Sequence, residues 1–316
     1  MTTAPNTAPV APASTHRTYV EAADVASALA ALAAGARPVA GGTDLVVGAR
    51  HGKAPLPESL VGIHRIPGLS SLDVLPDGGL RIGALVSHAA LAVDPTVLAS
   101  YTGVADASSI VGSHATRANG TIGGNVMNAS PAMDTGAPLL CHGGVAVLVG
   151  PGGERRVPLS ELWTGPGRTT AGADELLVAV ELEAPGSRSG SAYVRLQYRR
   201  QMEIAVVGVG ATVTLDDAGT VTAARVAISA LSPVIERVAA AEAALVGTDG
   251  ASAIEAAASA VAEAARPISD VRGSADYRRA MAKVIGRRAV LTAVRRAHGD
   301  AIAVPASDTT FGSAGA

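Results

Sequence analysis

The chain has 316 residues, 25 Lys plus Arg against 27 Asp plus Glu, a net charge of −2 and an isoelectric point near 6.4. That balance offers no broad attraction to nucleic acid or membrane surfaces, and one Phe and one Trp make no base-stacking platform. One cysteine, Cys141, excludes intrachain disulfides and any cysteine-ligated cluster, and no apolar run reaches the roughly 18 residues of a membrane span.

Residues 1–16 form an Ala/Pro/Thr-rich start without the basic, apolar pattern of a signal peptide. They predict a disordered tail and a cytoplasmic location. Residues 18–50 read as a small β-α-β unit. Val25, Leu29 and Leu32 recur at helical spacing, and Gly35 ends the helix. Val39-Ala40 is then a short strand, Gly41-Gly42 turns out of it, and Thr43 or Asp44 caps the next helix. Strand, glycine turn and helix start together form a recurring cradle for phosphate groups. Gly48 to Lys53 has the wrong spacing for a P-loop, and Ala54 stands where Ser or Thr is needed.

The Pro55 and Pro57 stretch predicts a link to a second lobe, with strands over 59–63, 72–75, 80–82 and 145–149 and helices over 86–93 and 96–107. Gly78 after Pro76-Asp77, and Gly150-Pro151-Gly152-Gly153, read as hairpins. The densest signal is Asn119-Gly120-Thr121-Ile122-Gly123-Gly124-Asn125 followed by Ala129-Ser130-Pro131-Ala132-Met133-Asp134. Its glycines permit φ > 0 and close approach of main-chain amides to an anion. Ser130-Pro131 reads as an N-cap and first helical residue. The segment suits a phosphate-bearing cofactor, with Asn125 and Asp134 free to bond hydroxyls. Cys141 reads as a buried structural thiol rather than a nucleophile paired with His142. The other histidines read as surface or loop residues, and no metal site is expected.

Residues 178–182 close this part and 185–190 read as a linker. Three β-like runs follow over 192–198, 205–215 and 221–230, the last two joined by the turn Asp216-Asp217-Ala218-Gly219. Gly208 and Gly210 lack the third glycine of a dinucleotide fingerprint. Helices are predicted near 235–246, 252–266 and 275–298. Arg278, Arg279, Arg287, Arg288, Arg295 and Arg296 read as a solvated face, and residues from 301 as a mobile tail.

In order and spacing these motifs resemble the FAD-binding medium subunit of molybdenum hydroxylases, the xanthine dehydrogenase, aldehyde oxidoreductase and carbon monoxide dehydrogenase family. The resemblance rests on Ala40-Gly41-Gly42-Thr43-Asp44-Leu45, on Thr121 to Asn125 with Ala129-Ser130-Pro131 and Asp134, and on Trp163 to Thr169. It continues through Asp174-Glu175-Leu176-Leu177, Tyr193 to Ala205 and Arg272 to Arg279. It implies an α+β fold: a two-lobed FAD-binding domain of the PCMH type over 17–184 (lobes 17–54 and 55–184), then a three-stranded antiparallel sheet with a helix bundle over 190–300.

The resemblance also implies that residues 40–45 and 119–125 hold the FAD pyrophosphate. Asn125, Ser130 and Asp134 would bond phosphate, ribityl or ribose groups, with Leu176, Leu177 and Arg195 near the flavin ring. Arg195 stands where the family usually has Lys. The implied role is non-covalent FAD passing electrons from the iron–sulfur clusters of a small subunit to NAD+ or another acceptor. A large molybdopterin subunit would hydroxylate the substrate, within a dimer of heterotrimers in the family pattern. No catalytic side chain is assigned, because the flavin carries the chemistry. A stand-alone flavin reductase of the same superfamily, a non-catalytic flavin-binding module and a plain α/β protein with structural glycine turns are the alternatives.

Overall fold

The structure, a computed structural model, describes residues 17–52 and 54–310; the tail expected over 1–16 lies outside the described residues. The first sheet is parallel and three-stranded, with Thr18–Glu21 and Arg37–Val39 flanking Ser59–Gly62. Asp24 caps the intervening helix Val25–Ala33 by accepting the Ser27 amide at 2.7 Å, and the Ser27 hydroxyl accepts the Asp24 amide at 3.2 Å. Ala28 and Leu32 of that helix share a buried cluster with Val61. The sequence reading assigns 59–63 to the second lobe. The structure instead makes this strand the centre of the first sheet, carrying that lobe past residue 54 to Gly62. The outer strand Thr18–Glu21 is exposed throughout and Arg37–Val39 is half-buried beyond Arg37, while the fully buried Val61 gives the sheet its apolar middle.

A second, antiparallel sheet has the order Leu72–Val74, Leu80–Gly83, Leu176–Leu182, Val145–Gly150, Gly153–Pro158. Its central strand is buried at every position. Leu176 and Val178 join the cluster of the first lobe, whereas Leu177, Val180 and Leu182 join the helices on the other face. Those helices are His88–Leu91, Pro95–Ser100 and Thr102–Ile110, then three that the sequence reading lacks: His114–Asn119, Ile122–Asn128 and Gly136–Cys141. Ser87 and Asp94 cap the first two.

The third sheet pairs Ser189–Leu196, Val207–Leu215 and Val221–Ser229, with the two-residue edge strand Glu236–Arg237 as an addition to the expected three. Helices Ala239–Leu245, Ile254–Ala264 and Ala275–Ala297 cover it and share its buried core. The fold is α+β, as expected. No helix among the described residues is long and apolar enough to cross a membrane.

One buried carboxylate joins these parts. Asp106, on the helix Thr102–Ile110, accepts from Arg296 at 2.6 and 3.1 Å, from the Tyr193 amide at 3.1 Å and from the Ala306 amide at 2.8 Å. Two expectations change here. Residues 302–307 do not form a free tail, because Arg296 also binds the carbonyls of Ile302 and Ala303, and Ala306 and Ser307 are buried; residues 311–316 of the expected tail lie outside the described residues. The arginine face is divided: Arg279, Arg287 and Arg295 are exposed, but Arg278 is 3 % exposed and donates to the Val206 carbonyl at 2.7 Å and to Asp270 at 2.6 Å. Polar anchors of this kind leave no hydrophobic periodicity to read. Asp106→Ala leaves Arg296 buried without its counter-charge and should cost roughly 3–5 kcal/mol in denaturant titration; a loss under 1 kcal/mol would refute its role as the junction.

Two histidines are also buried, His88 against its reading as a surface or loop residue and His142 beside the buried Cys141. His142 meets the Tyr101 ring edge-on at a centroid distance of 4.9 Å. Burial, reinforced by Arg117, pushes His88 down from 6.5 to about 4; burial, reinforced by Arg225, pushes His142 to about 3. Both folded values lie below the unfolded one. Their contribution is therefore full above about pH 6.5 and is lost as pH falls toward about 4 for His88 and about 3 for His142, with a slope of up to about 1.4 kcal/mol per pH unit each. Urea titrations of the wild type and His142→Phe should diverge in slope across that window; parallel curves would contradict a neutral buried His142. The opposing slopes of Asp106 and Asp134, both raised by burial, are common to the two proteins and cancel in the difference.

Candidate cofactor site

The two glycine motifs meet. A Cβ placed on Gly41 would overlap the carbonyl oxygen of Asn119, and one on Gly120 would lie 3.5 Å from the Thr43 hydroxyl. The first motif leaves the strand Arg37–Val39 and turns at Gly42, whose φ is +68°. Asp44 then stands at the N-cap of Leu45–Arg50 without accepting an amide from its first turn. Among the described residues, the amides of Gly41, Gly42 and Thr43 donate to no protein acceptor. Three adjacent open donors at a turn form a concavity suited to an anion.

The second motif works differently from its reading as a left-handed glycine turn. Ile122–Asn128 is a helix, capped by the Thr121 hydroxyl, which accepts the Gly124 amide at 3.1 Å. Gly120, Gly123 and Gly124 have ordinary backbone angles. Gly123 is needed for proximity: its amide donates to the Ala84 carbonyl at 2.9 Å, and an added Cβ would lie 2.6 Å from that oxygen. The Ile122 amide donates to Val86 and that of Asn125 to Thr121. Of the amides from Thr121 to Asn125, only that of Thr121 is open among the described residues. The second motif is thus chiefly the floor on which the first one rests.

The remaining expected residues separate. Ser130-Pro131 opens a turn and not a helix; the next helix starts at Gly136. The Ser130 hydroxyl accepts the Ala132 amide at 3.3 Å. Asn125 is half-buried and its Oδ1 accepts from the Thr135 hydroxyl at 2.7 Å, which leaves its NH2 group as the available donor. Asp134 is not free for cofactor hydroxyls. Its oxygens accept from Arg195 at 2.7 Å and from the Tyr193 hydroxyl at 2.8 Å. Arg195 is fully buried and also donates to Gln197 and to the Glu203 carbonyl; its amide donates to the Ser307 hydroxyl at 3.0 Å. A buried cation demands a buried anion, and the structure places Arg195 and Asp134, both expected at the cofactor, against each other. Leu176 and Leu177 are 3 % and 4 % exposed, at the head of the central strand.

Three neighbours were not among the expected site residues. Arg117 is buried two residues before Asn119, with Nη1 on the Val111 carbonyl at 2.9 Å and Nη2 against His114 at 3.1 Å; its place beside the glycine motif was the available signal. His88, held neutral, donates its amide to the Gly120 carbonyl at 3.1 Å. Trp163 donates from Nε1 to the Val126 carbonyl at 3.0 Å, and the Gly167 amide donates to Ala129 at 3.0 Å. These two bonds fasten the strands Trp163–Gly165 and Arg168–Thr169 to the end of the motif helix. Among the described residues no cluster of His, Cys, Asp and Glu could hold a metal ion.

The sequence matches the family profile of the FAD binding domain in molybdopterin dehydrogenase over residues 13–184, and that of the CO dehydrogenase flavoprotein C-terminal domain over 192–293. The chain belongs to the FAD-binding subunits of molybdenum hydroxylases. It is 33% identical over 280 residues to the carbon monoxide dehydrogenase medium chain of Afipia carboxidovorans, covering 87% of this chain and 94% of that one. It is 31% identical to the 6-hydroxypseudooxynicotine dehydrogenase complex subunit alpha of Paenarthrobacter nicotinovorans, covering 88% and 95%. Carbon monoxide dehydrogenase from Hydrogenophaga pseudoflava, in a form lacking the Mo-pyranopterin moiety of the molybdenum cofactor, superimposes with a TM-score of 0.84 at 31% identity, covering 89% of this chain and 98% of that one. This molybdenum-hydroxylase flavin subunit is accordingly part of an oxidoreductase.

The geometry makes Gly41 more sensitive than glycines in open space. Gly41→Ala should force the two motifs apart and lower flavin content at least tenfold, a shift of about 1.4 kcal/mol. Gly152→Ala, with nothing within 4 Å of an added Cβ, should leave it unchanged. Equal flavin content in both variants would refute the cradle.

Proposed function

We propose that the open amides of Gly41, Gly42 and Thr43, backed by Asn119, Gly120 and Thr121, receive the diphosphate of a non-covalently bound FAD. This pocket of main-chain donors carries the reading. When bound, FAD supplies the electron exchange, and the protein supplies position and electrostatics. The residues present fit such a group: no Cβ could be accommodated at Gly41, the donors are main-chain amides, and the buried Arg117 stands two residues before Asn119. The Ser130 hydroxyl and the Asn125 amide group would hold the cofactor's own hydroxyls. Leu176 and Leu177 would act from behind, keeping the central strand in place and water out. Arg195 would act through Asp134, locking the segment after the motif helix onto the third sheet.

In this reading the FAD-binding domain spans 17–184 and the C-terminal domain begins near 190, now including residues to 310. The subunit takes electrons from the iron–sulfur clusters of a small subunit, while a large molybdopterin subunit oxidises the substrate, and passes them to NAD+ or another acceptor in the cytoplasm. A dimer of heterotrimers is the proposed assembly.

Two measurements test this. The protein purified with its partners should be yellow, release its flavin on acid precipitation, and bleach when the substrate of the complex is added without oxygen. Flavin retained on the acid pellet would overturn non-covalent binding, and a yellow complex that substrate does not bleach would overturn the relay. For Arg195, Arg195→Ala should weaken flavin binding only as far as it destabilises the fold; Arg195→Ala combined with Asp134→Ala, which removes both buried charges, should recover part of the loss.

A further inference from the structure

The turn Asp270-Val271-Arg272-Gly273, just before the long helix Ala275–Ala297, holds an apolar side chain out in solvent. Asp270 and Gly273 exchange two backbone hydrogen bonds of 3.1 Å, which makes Val271 and Arg272 the two central residues of the turn. Turn centres ordinarily hold small or polar residues. Val271 is 98 % exposed, so the core of this chain gives no reason for it.

The turn is braced. The Asp270 carboxylate accepts from the Arg272 amide at 2.8 Å, from the Arg272 guanidinium at 3.2 Å and from Arg278 at 2.6 Å. The Tyr198 hydroxyl donates to the Arg272 carbonyl at 2.6 Å. A side chain presented on a fixed support loses little freedom when a partner covers it. The apolar surface continues around it. A Cβ on Gly273 would lie 3.1 Å from Tyr277 Cδ1 and 3.8 Å from the Tyr198 hydroxyl oxygen, so both rings border the turn. Both are exposed, as are Ile268, two residues before the turn, and Met202 on the hairpin loop that carries Tyr198. Grouped exposed apolar residues mark contact surfaces, and Tyr, Met and Arg are the types that protein interfaces favour.

Charge says what kind of partner fits. Residues 198–204 and 263–279 hold six arginines and four carboxylates, a positive island in a chain of net charge −2. Glu203 pairs with Arg199, Asp276 with Arg279, and Asp270 serves both Arg272 and Arg278. Arg200 and Arg266 are exposed and meet no carboxylate among the described residues. Two copies of this face would set like charge against like, which disfavours self-association. We propose that this ridge docks an acidic partner protein, whose apolar recess receives Val271 and whose carboxylates meet Arg200 and Arg266. The partner is a subunit of the assembly proposed above, and the inference rests on that assembly but not on the FAD cradle.

The chain should be co-expressed with its partner subunits and captured through a tag, and the partner recovered with it should be measured. Val271→Asp should lower that recovery at least tenfold, as truncation of a central interface residue does, and Val271→Leu should retain it. Arg200→Glu combined with Arg266→Glu should lower the salt concentration at which the complex separates. Circular dichroism of each variant should match the wild type, because none of the three side chains is buried. Undiminished recovery in Val271→Asp, or a separation point unmoved by the arginine changes, would overturn the proposal. So would a melted Val271→Asp chain, which would make the residue structural. Flotation of the complex with phosphatidylserine vesicles that Val271→Asp abolishes would replace the protein partner with a membrane. A wild-type chain recovered alone removes the assembly and the ridge together, whereas a complex indifferent to Val271→Asp removes the ridge only. Flavin content is not the readout, so failure of the FAD cradle is told apart from failure here.

Discussion

The site depends on one contact without side chains, the main chain of Gly41 against the carbonyl of Asn119. The first lobe has a small buried cluster, and its outer strand Thr18–Glu21 is exposed throughout. Its glycine turn keeps its position because it rests on a segment that is itself held in three ways. The Gly123 amide is tied to Ala84, the Thr121 hydroxyl caps the helix, and Trp163 and Gly167 secure the helix end. Donors fixed in this way need no reorganisation when a ligand arrives, which is where preorganised sites gain affinity. The same rigidity divides the labour: the floor satisfies its own amides and the turn above leaves its amides open.

A second constraint is electrostatic. Asp134 with Arg195, and Asp106 with Arg296, are buried carboxylate–guanidinium pairs, and both bridge the FAD-binding half to the C-terminal half. Desolvating such pairs is costly, and they persist where further hydrogen bonds complete the geometry. Tyr193 completes one through its hydroxyl and the other through its amide. A single strand residue thus touches both anchors. Burial pushes both carboxyls upward while their arginines pull them back, and the pairs hold only while the two halves stay docked.

Much of this was readable from residue order. The helix Val25–Ala33, both hairpins, the three long strands of the third sheet and its covering helices follow from apolar periodicity and turn chemistry, signals local to a few residues. The two glycine motifs were readable as a pair, but their mutual contact was not, because it depends on how separate segments pack. The strand Ser59–Gly62 looked like the start of the next lobe because nothing local says which sheet a short apolar run will join. The contact between Asp134 and Arg195 was not readable, because Asp134 was placed by its position after the glycine motif and Arg195 by the family resemblance, and neither signal says that the two residues meet. The segment after Ala301 and the buried Arg278 carry no periodic pattern, so polar anchoring there became visible only in three dimensions.

Trp163 is the single tryptophan of the chain. It is 6 % exposed and its indole nitrogen is bound to the helix that begins at the glycine motif. Its emission is therefore an intrinsic optical gauge of the cradle, with no competing indole to separate out. A bound isoalloxazine would accept its excitation energy, so arrival and departure of the cofactor can be followed by fluorescence in the unlabelled protein, one event at a time.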